Sequence, residues 1–176
     1  MPSRKNATLI LVNFHAFHKD KDLIMYNSIN VDFANLPDYV TIPYRELNLK
    51  KVALGLVNLP AGKGYTFTHS HEEQEEVYIC LLGKGTALIG KEKISLKQGD
   101  ILRIDPEDRR AFRAGDNEPL VMICAGGVTL RYPKSENSRS LIDDGVPHFD
   151  DIPFWYENNE KVKALVEKIR LKREEE

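Results

Sequence analysis

Cysteine is scarce in this chain: Cys80 and Cys124 are its two, and no C-x-x-C pair exists. That rules out a disulfide framework and a cysteine-built structural zinc site. Both thiols lie inside apolar runs, where a cysteine behaves as a small hydrophobe, so reduced, buried thiols in a cytoplasmic protein are expected. Long hydrophobic runs are missing too. No stretch approaches the roughly 20 apolar residues that cross a bilayer. The opening MPSRKNATLILVNFH offers six apolar or small residues before Asn13, too few for the core of a secretion signal. An excess of one charge is also absent, with 25 Lys and Arg against 27 Asp and Glu and no basic stripe outside the C-terminal end. Nucleic acid is not suggested as a partner.

What the chain does have is a succession of short apolar segments. Its 176 residues suffice to bury roughly 70% of the unfolded surface around a single core. From Leu47 to Val128 these segments are punctuated by Gly, Pro and Asp, and read as strands near 51–59, 65–68, 75–82, 86–89, 93–96, 101–104, 110–113 and 120–125. Short strands at even spacing favour an all-β sandwich or barrel. Gly90-Lys91-Glu92 places a glycine where a tight hairpin requires it. Before the barrel, segments 9–14, 23–29 and 39–44 suggest accessory strands, with a turn at Asn35-Leu36-Pro37-Asp38. After it, Val162, Leu165, Val166 and Ile169 recur at one-face helical spacing, with Asn158 or Asn159 placed to cap the helix. The closing acidic run opposes the helix dipole and is expected to fray.

The chemistry concentrates in HSHEEQEEVYICLLG, residues 69–83. His69 and His71 at i and i+2 on an extended strand point to the same side. Glu76 follows five residues later, enough for the chain to turn and return a carboxylate from the next strand. Two imidazoles and a carboxylate suit a divalent transition metal (Zn, Fe, Mn, Ni or Cu) with positions left open. Glu76 shares parity with Tyr78 and Cys80, which become candidate pocket walls, whereas Glu72, Glu73 and Glu75 read as a solvated acidic turn.

These residues resemble the cupin family. Its first motif, G-x5-H-x-H-x(3,4)-E-x6-G, is matched in full from His69 through Glu76 to Gly83, while Gly62 and Gly64 straddle the position of the leading glycine. The resemblance spans about residues 48 to 126. It implies a jelly-roll barrel (double-stranded β-helix) with the site in its mouth, commonly a homodimer. The second motif departs from the family. Gly99-Asp100 opens it, but aligning Ala111-Phe112-Arg113 puts Arg110 where the third metal-binding histidine belongs, and letting Pro106 serve as the motif proline puts Ala111 there instead; neither register supplies a histidine. A guanidinium offers donors only and cannot ligate a cation. At about 5 Å from a divalent metal it would repel it by roughly 7 kcal/mol at an effective dielectric near 20.

Three readings follow. His69, His71 and Glu76 hold a metal alone, with Arg110 turned aside or binding a substrate anion; or Arg110 pairs with Glu76 in a metal-free pocket for an anionic or sugar-like ligand; or His148 of GVPHFDD supplies the missing ligand. The last is the weakest, since a proline-flanked histidine beyond the barrel reads as a surface loop residue. Arg110, Tyr78, Cys80 and Phe112 are the candidate ligand-binding residues, and Arg109 and Arg113, of opposite parity, should face solvent. Phe149, Phe154, Trp155 and Tyr156 gather in HFDDIPFWYENN, where such density covers a core or a subunit interface. The expectation is an all-β barrel over 47–128, accessory strands over 1–46, and an extension with a helix over 129–176. Function is expected to be that of a metal-dependent enzyme on a small organic acid or sugar derivative, or of a metal-free binding or regulatory module. An interaction protein acting through its aromatic tail is the third class.

Overall fold

The computed structural model describes residues 13–19, 22–127 and 144–174. Among them, the barrel is built from two five-stranded antiparallel sheets. One has the order β12 (Gly145–His148), β5 (Thr68–His71), β10 (Arg110–Ala114), β7 (Lys84–Ile89), β8 (Glu92–Lys97). The other runs β3 (Tyr39–Thr41), β4 (Val52–Leu59), β11 (Leu120–Gly127), β6 (Glu76–Leu82), β9 (Ile101–Ile104). Neighbours in space are mostly not neighbours in sequence, which is the jelly-roll signature. A separate hairpin, β1 (Asn13–Lys19) with β2 (Asp22–Ser28), precedes them. Of the segment expected at 9–14, residues 9–12 lie outside the described residues.

Period-two alternation decides which side chains fill the barrel. Val57 and Leu59 of β4, Tyr78 and Cys80 of β6, Phe112 and Ala114 of β10, and Leu120 and Met122 of β11 turn inward and form one buried cluster. On the opposite face, Leu56 and Val121 pack under Leu36, Val31 and Phe33 of the N-terminal segment. The Asn58 side-chain amide donates to Leu36 O at 2.9 Å and fixes that segment on the sheet. Gly83 carries the chain from β6 into β7, and so from one sheet to the other. Its φ is +79°, and a Cβ there would lie 1.7 Å from Pro119 O, so the glycine that ends the first motif is required by both conformation and space. The β7–β8 hairpin turns through Gly90 at φ +55°, as its sequence requires.

Of the extended segment expected at 39–44, β3 covers Tyr39–Thr41, and a short helix α1 (Tyr44–Leu47) then leads into β4. The C-terminal helix α2 (Glu160–Glu174) is capped by Asn159, whose Oδ1 accepts the Val162 amide at 3.2 Å. Arg170 ties it with ion pairs to Glu167 and Glu174. Its apolar stripe is only partly covered: Val166 is buried, but Leu165 is 48% exposed. Among the described residues, no helix is long and apolar enough to cross a membrane.

Candidate metal centre in the barrel mouth

Strand β5 carries both histidines. It begins three residues later than its sequence suggested, so His69 and His71 lie inside the strand rather than beyond its end, and their alternation with Thr68 and Ser70 turns both rings into the barrel. Residues 72–75 reverse the chain, and Glu76, first residue of β6, returns its carboxylate to the same place. Ligating atoms of His69, His71 and Glu76 all lie within 4.8 Å of one another. The His71 ring is shut off from solvent, whereas the His69 side chain is 23% exposed and marks the open side of the site.

Glu76 is held at both oxygens. Its Oε2 accepts the Tyr78 hydroxyl at 2.5 Å and lies 3.1 Å from His71 Nε2 and 4.0 Å from His69 Nε2. Its Oε1 accepts the Cys124 thiol at 3.1 Å. Burial works against ionisation of Glu76. The hydrogen bond and charge of His71, the charge of His69 and the Tyr78 hydroxyl outweigh it and hold the carboxyl at about 2. Burial likewise disfavours charge on His69; Glu76 opposes it, while the charges of His71 and Arg110 add to it, so the imidazole falls to about 3 and stays neutral at ordinary pH. Tyr78 is pushed well above the usual phenol range, first by burial and then by the charges of Cys124 and Glu76, and remains a donor.

The orientation of His71 comes from a residue that the sequence did not single out. Asp144, buried just ahead of β12, has Oδ1 2.8 Å from His71 Nδ1, and its Oδ2 accepts the backbone amides of Glu73 at 2.6 Å and Gln74 at 3.1 Å. With both oxygens acting as acceptors, the proton of this contact belongs on Nδ1, an assignment made from the hydrogen-bond network. The remaining nitrogen, Nε2, then faces Glu76 Oε2 at 3.1 Å. A neutral His71 would set one lone pair against another, so the geometry calls for a cation between them, either a proton or a metal ion. This donor set fits a divalent transition metal.

The sequence profile of the cupin domain matches residues 55–126. An uncharacterized protein of Methanocaldococcus jannaschii is 32% identical over 86 residues, which are 49% of this chain and 68% of that protein. The crystal structure of a cupin protein from Bacteroides fragilis shares 32% identity and a TM-score of 0.53, covering 66% of this chain and 98% of its own. The chain belongs to the cupin family.

In this cupin the residue that the sequence sets at the expected third histidine position is Arg110. Arg110 lies opposite His69 in the β5–β10 pairing and faces inward, as its parity required. It is fully buried, and its guanidinium donates to Asp105 O at 2.6 Å and Pro106 O at 3.3 Å. The pair with Glu76 on which a metal-free pocket would rest does not form, because these two loop carbonyls take the guanidinium first. Pro106 O also accepts the His71 amide at 2.7 Å, so Arg110 braces the β9–β10 loop against β5. The guanidinium is thus a buried fixed charge on the strand paired with β5, and its Nε has no hydrogen-bond partner.

Cys80 and Phe112 lie with Tyr78 in the buried apolar cluster, and the Phe112 ring meets that of Tyr78 tilted at 41°, with centroids 4.4 Å apart. Arg109 and Arg113 face outward and pair with Asp151 and Asp116. His148 is not on a loop. It ends β12, which pairs with β5 at the edge of the sheet, in register with Thr68. That register turns it to the face of Thr68 and Ser70, away from the triad, and its Nε2 lies 2.8 Å from Ser70 Oγ. The aromatic tail packs on the same chain: Trp155 Nε1 donates to Tyr65 O at 3.1 Å, the Tyr156 hydroxyl accepts the Gly64 amide at 3.3 Å, and Phe149 meets Phe67 at 4.7 Å.

Proposed function

We propose that this cupin holds a divalent transition metal on His69, His71 and Glu76, and that it binds and transforms a small organic acid or sugar derivative at the positions left open. The carrying observation is the approach of His71 Nε2 to Glu76 Oε2 at 3.1 Å while Nδ1 is committed to Asp144. Bound there, the metal would supply a Lewis acid for polarising a carbonyl or carboxylate oxygen. The chain's own residues prepare the place. Tyr78 and Cys124 fix both oxygens of Glu76, Asp144 fixes the His71 ring, and half-open His69 leaves the approach on its side. Tyr78, kept protonated by burial, is a donor within reach of that centre.

Elemental analysis of protein purified without a histidine tag tests the reading. About one equivalent of Zn, Mn, Fe, Ni or Cu is expected after reconstitution and dialysis, falling below a tenth in His71→Ala. Less than a tenth of an equivalent in the parent would remove its basis. Metal-loaded and metal-stripped protein should then differ in thermal shift with a panel of small carboxylic acids and sugars. A homodimer, proposed on the exposure of Ile101 (69%) and Val52 (48%) on one sheet, is checked by light scattering.

A further inference from the structure

Asp144 lies outside the 55–126 span that matches the family. It reaches the centre because the C-terminal arm, residues 144–156, runs along β5. The arm is attached at several points: β12 pairs with Thr68–His71, Asp151 accepts the Thr68 hydroxyl at 2.7 Å, its carbonyl takes the Thr68 amide at 3.0 Å, and Trp155 reaches Tyr65 O. Every one of these contacts falls on the strand that carries the histidines or on the segment leading into it. Only one, Asp144 to His71, continues into the centre itself.

We infer that Asp144 is a positioning residue that sets the tautomer of His71, so that docking of the C-terminal arm and occupancy of the metal centre form one linked equilibrium. The inference rests on the metal reading above. With the arm docked, Asp144 holds the proton on Nδ1 and leaves the Nε2 lone pair for a metal. Without it, the Glu76 carboxylate, 3.1 Å from Nε2, draws the proton to that nitrogen, and the amides of Glu73 and Gln74 lose Asp144 as acceptor. Carboxylates behind a ligating histidine change metal affinity by about 10–100-fold when altered. Linkage is reciprocal, so a bound metal must tighten the arm by the same factor by which the arm tightens the metal.

The decisive variant is Asp144→Asn in the full chain. An asparagine oxygen can still accept the two backbone amides, which leaves its NH2 facing His71 Nδ1. The ring proton then moves to Nε2, where it blocks ligation without unfolding the barrel. Ring 15N chemical shifts of His71 in metal-free protein at alkaline pH should show the exchange of tautomers. Zn2+ affinity, measured by competition with a chromophoric chelator, should fall about 10–100-fold. A second variant, Asp151→Ala, loosens the arm away from the centre and should weaken Zn2+ several-fold with the tautomer unchanged. In the parent, Zn2+ should slow hydrogen exchange across 144–148, and in Asp144→Asn it should not. Parent-like Zn2+ binding in Asp144→Asn, an unchanged His71 tautomer, or arm exchange indifferent to Zn2+ would each overturn the inference. A parent that takes no Zn2+ overturns the linkage together with the metal reading, and is told apart because the tautomer exchange still appears in Asp144→Asn.

Discussion

Replacing Arg110 with methionine should move stability and metal affinity in opposite directions. The guanidinium donates to Asp105 O at 2.6 Å and Pro106 O at 3.3 Å. Neither carbonyl is left alone without it: Pro106 O keeps the His71 amide at 2.7 Å, and Asp105 O keeps the Asp108 amide at 3.3 Å. What is lost is two charge-assisted bonds, one short and one long, while methionine refills the aliphatic volume. Relief of the buried charge's desolvation offsets part of the loss, and a net destabilisation of roughly 1–3 kcal/mol follows. The metal side has the other sign. Arg110 faces His69 across the β5–β10 pair and its charge already disfavours charge on that ring. At any separation of roughly 5–10 Å, a unit charge repels a divalent ion by roughly 3–7 kcal/mol at an effective dielectric near 20. Even with most of that screened, affinity should rise at least tenfold. Urea unfolding with chelator present gives the first quantity, and zinc competition titration gives the second. If Arg110→Met loses stability and metal affinity together, the residue is a brace for the centre and nothing more, and the electrostatic reasoning fails.

Two further outcomes follow from the structure. In metal-free protein His69 is depressed to about 3 from 6.5, so its contribution to stability is complete above pH 6.5 and drains away as pH falls toward 3. Between pH 6.5 and 5.5, above the range where Glu76 titrates near 4.5 when unfolded and about 2 when folded, the parent should lose roughly 1 kcal/mol more than His69→Asn in urea unfolding; equal losses would refute this. Gly83→Ala forces a Cβ onto Pro119 O at positive φ and should cost roughly 3 kcal/mol or more, whereas Gly90→Ala, with nothing within 4 Å of its Cβ, should cost about 1 kcal/mol. Similar urea midpoints for the two variants would contradict the packing argument.

How much of this could be read in advance depended on whether the signal was local. Alternation along β6 placed Glu76, Tyr78 and Cys80 on one face, and the spacing of His69, His71, Glu76 and Gly83 pointed to a shared centre, because both depend on residues a few positions apart. Parity puts Arg110 on the inward face, where it is fully buried. Its partners were not foreseen, since the acceptors are backbone carbonyls of Asp105 and Pro106, and a carbonyl has no sequence signature. His148 was misread for a related reason. Pro147 hides a strand from propensity reasoning, yet β12 lies at the edge of its sheet, where proline is tolerated. Asp144 lies 73 residues from His71, and only the path of the arm along β5 joins them. The aromatic residues 149–156 signalled packing without saying against what. The structure supplies Tyr65, Gly64 and Phe67 as their partners.

X-ray absorption at the zinc edge of the Zn2+-loaded protein tests the central claim most directly. The account predicts a first shell of nitrogen and oxygen only, with the outer-shell pattern of two imidazoles from His69 and His71 and a carboxylate from Glu76. A sulfur scatterer at about 2.3 Å, which would place Cys124 on the metal, or a shell without the two-imidazole pattern, would contradict it.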